Sequence, residues 1–266
     1  MNHFFVVDVG NTSTKWGVAG ARRIFREYEF PTGRFIGARD AMAMIRRLPR
    51  GLAGGIVSCV VPRALERVKR CFRALRTPQP LLVSAEMDLG IGIRYPAPQT
   101  IGADRLANSV AAVALYGAPA VVVDFGTAVT FDVISARGEY LGGVIAPGLE
   151  MMTDYLHERT ALLPKVSLAA PRSAIGKSTE AAMRAGAVVG YRGLVREILG
   201  AVAREMLGGA RRGRRPCVIA TGGHSSLIAA GLPQIHHLNP RLTLEGLRIL
   251  YCRHQAKILG RGTTSV

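Results

Sequence analysis

The stretch Phe5-Val6-Val7-Asp8-Val9-Gly10-Asn11-Thr12 reads as a buried strand that ends on an acid and turns at a glycine. Its run of Phe and Val suits a strand covered on both faces. Gly10-Asn11 is a tight-turn pair, and Thr14 to Ala19 follows as the returning strand. The same plan recurs at Val121-Val122-Val123-Asp124-Phe125-Gly126-Thr127-Ala128. Asp8 and Asp124 stand 116 residues apart, the length of a subdomain. A solenoid would repeat every roughly 20–50 residues, so this is duplication of an architecture.

Working outward, Phe25 to Phe30 makes a third strand. Phe35, Ala38, Met42, Ile45 and Leu48 recur at helical steps. Ile56 to Val61 is a strand ended by Pro62, and Leu65, Val68, Phe72 and Leu75 mark the next helix. Leu81 to Val83 is extended. Met87, Leu89, Ile91, Ile93 and Tyr95 alternate with polar residues and glycine, which predicts a half-buried strand. A helix is expected over about 103–116. The second half replays this order. Strands are expected over 120–124, 129–134 and 140–145, with a helix on Leu149, Met152, Leu156 and Leu163. A long helix follows over about 180–207, with Gly190–Gly193 as a candidate break. A strand at 217–220 and a last helix near 244–257 complete it, with His236-His237 in a loop. The fold class is therefore α/β. The expected domains are 1–117 and 118–266, with a ligand cleft between the lobes.

Composition narrows the class. Apolar residues are 48% of 266, and 31 Gly with 14 Pro fall short of the roughly 25–30% that signals disorder. The four cysteines form no C-x-x-C pair, which argues against a disulfide framework or a zinc site and fits a reducing cytoplasm. The start of the chain does not read as a signal peptide, and no apolar run is long enough to span a bilayer. There are 35 basic against 18 acidic side chains, net +17, and all but five of the basic ones are Arg. A polyanionic partner is one reading of that charge. Scattered basic residues selected for solubility are the other, and nucleic acid is not expected as a partner. The densest run, Arg211–Arg215, sits in a Gly-rich connector.

At each Asp-x-Gly turn, backbone amides after the glycine can point at phosphate oxygens. Asn11, Thr12 and Thr14 add donors, and Lys15 adds charge. Asp8 suits Mg²⁺, which takes one or two carboxylates with phosphate and water. A hairpin whose Asp merely caps the turn has the same local sequence. The second copy, with Asp124 and Thr127, favours the ligand reading. Cys217 to Thr221 leads into Gly222-Gly223, where a flat ring could lie on the backbone. Tyr95 precedes Gly102-Ala103-Asp104-Arg105 at a helix start. There the helix dipole would stabilise the Asp104 anion, and Arg105 could grip a carboxylate. A first-turn Asp with a surface Arg is the plainer alternative. Gly176-Lys177-Ser178-Thr179 fails as a Walker A loop, because Pro171 stands where glycine is needed. Thr179 either caps the long helix or offers its hydroxyl to a substrate.

Together these segments are similar to the actin/hexokinase/Hsp70 phosphotransferase superfamily, and within it they resemble the type III pantothenate kinases. The carriers are Asp8–Thr12, Ser58–Pro62, Gly102–Arg105, Asp124–Ala128, Gly142–Gly148, Gly176–Thr179 and Leu244–Arg248. The resemblance implies two tandem ribonuclease H-like (actin-like ATPase) lobes that phosphorylate pantothenate with ATP, the first step of coenzyme A synthesis. It implies ATP binding by Asp8, Val9, Gly10, Asn11, Thr12, Ser13, Thr14, Lys15 and Thr127. It implies pantothenate binding by Tyr95, Gly102, Ala103, Asp104, Arg105 and Thr179, with Asp104 as proton acceptor. Asp124 would hold a monovalent cation, K⁺ or NH₄⁺, alongside Mg²⁺ near Asp8. A homodimer is implied, with the neighbouring protomer helping to close the substrate site. The Gly186/Gly190 pair would allow close helix packing, between protomers or within one. A regulatory ATP-binding paralogue that contacts nucleic acid is the alternative. A kinase acting on a sugar or polyphosphate is a third reading, and the Tyr95, Asp104, Arg105 and Thr179 set argues against it.

Overall fold

The computed structural model describes residues 3–36, 45–208 and 214–260. These form two compact units, Met1–Leu115 with Leu242–Val266, and Tyr116–Arg241.

In the first unit β1 (Phe4–Val9), β2 (Ser13–Ala19) and β3 (Ile24–Pro31) run antiparallel. The short α1 (Thr32–Ile36) leads on towards β4 (Gly55–Cys59), α2 (Pro62–Ala74) and β5 (Leu81–Leu82). β4 lies parallel to β1, and β5 parallel to β4, giving the order β3-β2-β1-β4-β5. After β6 (Gly92–Ile93) comes α3 (Ala103–Tyr116). In the second unit β7 (Ala120–Phe125), β8 (Ala128–Ile134) and β9 (Glu139–Pro147) again run antiparallel. α4 (Leu149–Arg159) and α5 (Thr179–Met206) follow, then β10 (Cys217–Thr221), α6 (Ser225–Ala229) and β11 (His237–Leu238). β10 is parallel to β7 and β11 to β10, so the strands run β9-β8-β7-β10-β11. α7 (Leu242–Ile258) closes the described chain. The two strand orders are the same order twice, the ribonuclease H-like plan.

The likeness extends to single residues. β1 and β7 share one burial pattern, as do β2 and β8. Both hairpin ladders shift register at the same place, Val18/Ala19 and Val133/Ile134. Alternation along β1 sends Phe5, Val7 and Val9 into a core with Trp16, Val68 and Phe72. Trp16 meets Phe5 edge-on, ring centroids 5.2 Å apart. α2 supplies Ala64, Val68, Cys71 and Phe72 at helical spacing, and burying each large side chain contributes about 1.5–3 kcal/mol. Burial also pushes the Cys71 thiol up to about 12. In the second unit Val121, Val123 and Phe125 pack with Val188, Tyr191 and Val195 of α5. Strand alternation thus puts Asp8 and Asp124 on the face away from these cores.

The last helix departs from the expected 118–266 domain, because its apolar face fits the sheet of the first unit. Tyr251 stacks on Phe4 with centroids 4.1 Å apart. Arg248 is buried, ion-paired with Glu245 at 2.6 Å and hydrogen-bonded to the carbonyl of Ala21. Thr243 donates to Asn108 Oδ1 at 2.8 Å. A methyl group at Gly246 would sit 1.9 Å from the carbonyl oxygen of Ala107, so glycine lets α7 cross α3 at contact distance. This accounts for the run Leu244–Arg248.

Other expectations change. Of 87–95 only Gly92–Ile93 is strand, because Asp88 turns the chain by accepting from the Gly90 N–H and pairing with Arg253 at 2.8 Å. α5 runs unbroken through Gly190–Gly193. His237 belongs to β11 rather than to a loop. Ala38 and Met42 of the expected helix, and Arg211 to Gly213, lie outside the described residues. No helix among the described residues is long and apolar enough to cross a membrane.

The Gly246→Ala variant is expected to lose about 1–3 kcal/mol by overpacking against backbone that cannot rotate away. Denaturant titration checks it, and wild-type stability would show that the helices separate freely.

Candidate active site

The first hairpin is braced from below. Gly10 N–H donates to Ser13 O at 3.0 Å, and Thr32 N–H to Thr12 O at 2.9 Å. Thr32 Oγ1 donates to Gly10 O at 2.7 Å, so its oxygen is left to accept from Thr14 Oγ1 at 2.9 Å. Thr14 was expected to donate to phosphate. It is instead fully buried, and its hydroxyl is a strut under the turn. Thr32, which carries that strut, escaped the sequence reading because it lies 22 residues from Gly10. Asn11 and Thr12 are exposed, Ser13 and Lys15 half-buried, and Val9 is core. Asp8 lies opposite Lys15 on β2 and Ser58 on β4. Ser58 Oγ is buried without a hydrogen-bond partner beside that carboxylate. A carboxylate with a neighbouring buried hydroxyl suits the water shell of Mg²⁺. Cys59 Sγ donates to Val61 O at 3.2 Å, and burial, with Asp8 nearby, raises its thiol pKa.

The second hairpin has the same brace. Gly126 N–H donates to Ala128 O at 3.1 Å, and Gly148 N–H to Thr127 O at 3.1 Å. Gly148 follows β9 as Thr32 follows β3, so one hydrogen bond ties strand exit to turn in both units. Tyr191, which no local motif marks out, donates its hydroxyl proton to Pro147 O at 3.0 Å. The Thr221–His224 segment lies against this turn: His224 N–H donates to Phe125 O at 3.3 Å. Gly222 holds φ +90, and a methyl group there would meet Asp124 Oδ1 at 2.5 Å and the Phe125 backbone. His224 pairs with Glu150 at 3.2 Å. The oxygen chemistry of Asp124 suits a hard cation. No cluster of three or more His, Cys, Asp or Glu exists among the described residues, so a metal here would draw its remaining ligands from substrate and water.

Asp104 is the second residue of α3, and Gly102 O accepts from Leu106 N–H at 3.1 Å as the helix starts. Its Oδ1 accepts from Arg105 N–H at 2.8 Å, and a side chain on Gly102 would come within 2.5 Å of that oxygen. Burial raises the Asp104 pKa and outweighs the Arg105 backbone and charge, which lower it. The expected stabilisation of the anion at the helix start is therefore overridden. A carboxylate pushed up in this way is a stronger base held next to a cation. Tyr95 is exposed before the Pro98–Thr100 turn. Thr179 is exposed as the first residue of α5, and the cap is Ser178, which accepts from Ala181 N–H at 3.2 Å. The first unit thus brings together Asp8–Lys15 with the end of β4, and separately Gly102–Arg105. The second holds Asp124, Thr127 and Thr179.

The family model described as type III pantothenate kinase matches residues 4–201. A type III pantothenate kinase from Akkermansia muciniphila is 47% identical, covering 92% of this chain and 97% of the relative. Another, from Moorella thermoacetica, is 39% identical over 93% of this chain and 98% of its own. Among solved structures, MreB 5 of Spiroplasma citri bound to AMPPNP aligns with TM-score 0.54 at 11% identity, covering 97% of this chain and 98% of that one. That likeness is one of fold alone.

An unfolded aspartate titrates near ~3.9. Since folding raises the Asp104 pKa, the associated stability is full below that value and lost as pH climbs through the folded-state pKa. Asparagine does not titrate. Asp104→Asn is expected to gain melting temperature relative to the parent as pH rises above about 4 and through the raised folded-state pKa. A difference that does not change with pH would contradict the raised carboxyl pKa.

Proposed function

Because the chain belongs to the type III pantothenate kinase family, we infer that it transfers the γ-phosphoryl group of ATP to the primary hydroxyl of pantothenate, opening coenzyme A synthesis. The observation that carries the site assignment is the pair of Asp-x-Gly hairpins tied by the same strand-exit hydrogen bond, together with a separate, half-buried Asp104 at a helix start.

In this reading the amides and side chains of Asp8–Thr12, with Ser13 and Lys15, bind ATP phosphates, and Thr127 is likewise an ATP ligand. Arg105 holds the pantothenate carboxylate through its planar fork, with Tyr95, Gly102, Ala103 and Thr179 framing the substrate. Asp104 orients the hydroxyl. As the hydroxyl oxygen bonds to the γ-phosphorus, the bond from that phosphorus to the β–γ bridging oxygen breaks, ADP leaves, and the proton passes to Asp104. Positioning matters most in such a reaction, since its transition state is loose. Mg²⁺, when bound near Asp8, neutralises charge on the phosphates. Asp124 would hold K⁺ or NH₄⁺ beside the second turn.

The cytoplasm is the proposed compartment. A homodimer is also proposed. Met151, Tyr155 and Leu156 of α4, with Leu162 beyond it and Val189 of α5, are large apolar side chains left exposed. Self-association would take such side chains out of water.

A coupled assay with ATP, Mg²⁺, K⁺ and pantothenate is expected to show turnover, which Asp104→Asn lowers by at least roughly 10²-fold while ATP binding persists. Turnover at the parent rate would remove Asp104 from its role. Replacing K⁺ with Na⁺ is expected to lower activity, and Asp124→Ala to abolish that difference. Indifference of the parent enzyme to the monovalent ion would overturn the Asp124 assignment.

A further inference from the structure

The second unit carries a cavity of about 230 Å³ at the edge of its sheet where β7, β10 and β11 begin. Asp124 and Thr221 stand near the opposite ends of β7 and β10, about 13 Å away along the strands. Tyr116, Arg214, Arg215, Cys217, His236 and His237 line the cavity, with Pro119 and Pro216 as apolar wall. Its lining contains no carboxylate among the described residues.

The hydrogen bonds fix what these groups have left to offer. His236 Nδ1 accepts from Val218 N–H at 2.8 Å, so the neutral ring carries its proton on Nε2. Tyr116 Oη accepts from Asn239 Nδ2 at 3.0 Å, which leaves the phenol proton to donate. Asn239 is itself held: its N–H donates to Ala220 O at 2.8 Å, and its Oδ1 accepts from Arg241 N–H at 3.0 Å. The His237 ring lies on Tyr116 with centroids 4.6 Å apart, which fixes the phenol from its face. Arg214 stands close enough to Cys217 for its charge to act on the thiol. Two guanidinium groups and two rings whose acceptors are occupied make a wall of donors and positive charge. Guanidinium groups match phosphate oxygens in geometry and hold them by charge-assisted hydrogen bonds. Sites for drug-sized ligands span about 300–1,000 Å³, so this smaller space suits a compact anion.

We propose that this cavity is a second anion site, distinct from the phosphate hairpins, that binds the phosphate group of a small phosphorylated molecule. The Arg214–Arg215 pair supplies the charge, and Tyr116 and His236 supply oriented donors. Occupancy would join α3, the β10 entry and β11, three segments that meet at this edge.

The test is calorimetric titration of the full-length chain with pyrophosphate, its catalytic hairpins first filled with a non-hydrolysable ATP analogue and Mg²⁺. The parent is expected to bind one pyrophosphate under these conditions. The R214A/R215A double variant, altered only at exposed side chains, is expected to bind at least tenfold more weakly, with kcat and the KM for ATP unchanged. Tyr116→Phe keeps the stacked ring and is expected to weaken binding about tenfold through loss of one hydrogen bond to a charged group. Absence of saturable binding in the parent overturns the proposal, as does equal binding by the double variant. Binding of a DNA duplex that depends on Arg214 and Arg215, with pyrophosphate inert, overturns it in favour of a nucleic-acid surface.

Discussion

A single backbone hydrogen bond, made twice, underlies the functional half of each unit. It runs from the residue after the third strand to a carbonyl in the first turn: Thr32 to Thr12, and Gly148 to Thr127. A short turn projecting from the end of a strand would otherwise be free to swing. Tied in this way, it holds its amides at a fixed angle to the sheet, and preorganised donors of this kind are effective at stabilising charge. The threonine strut below the first turn and the Tyr191 hydroxyl below the second strengthen the same restraint by different chemistry. Duplication preserved the geometry while the side chains that maintain it diverged.

Strand alternation explains why the acids are available at all. Every second residue of β1 and β7 enters a hydrophobic core with α2 or α5, and Asp8 and Asp124 occupy the other parity. A one-residue slip in register would bury both carboxylates against apolar side chains, at prohibitive cost. The cores thus fix the register, and the register presents the acids. Asp104 follows another logic. Its helix start favours the anion, and its burial opposes it more strongly. The crossing of α3 by α7 at Gly246 and Asn108, one turn further along, anchors the helix that carries it. The carboxyl thus sits at the start of a helix fastened from its far side.

Much of this was legible from sequence because the signals are local. Phe4–Val9, the returning strands, α2, α3 and β10 came from apolar periodicity, Pro62, and the glycine turns, which act within a few residues. The failures share a cause. The alternation over 87–95 matched a strand, yet an Asp88 turn held by Arg253, 165 residues away, claimed the segment. Thr14 looked like a ligand donor because its neighbours Asn11 and Thr12 do, and only Thr32 reveals its hydroxyl to be occupied. Ser178, rather than Thr179, proved to be the helix cap, a choice between adjacent hydroxyls that depends on backbone angles.

What the sequence alone determined was the duplicated strand-turn-strand plan, the position of its acids and glycines, and the kinship those residues carry. These rest on spacing along the chain, and spacing is written in the sequence. What only the tertiary structure decided was that α7 returns to the first unit, that Thr14 is a strut, that the protonation of Asp104 is governed by burial, and that arginines, histidines and a tyrosine from three segments meet at one sheet edge. Each depends on which remote segments exclude water from a given atom, and exclusion of water is a property of the folded chain.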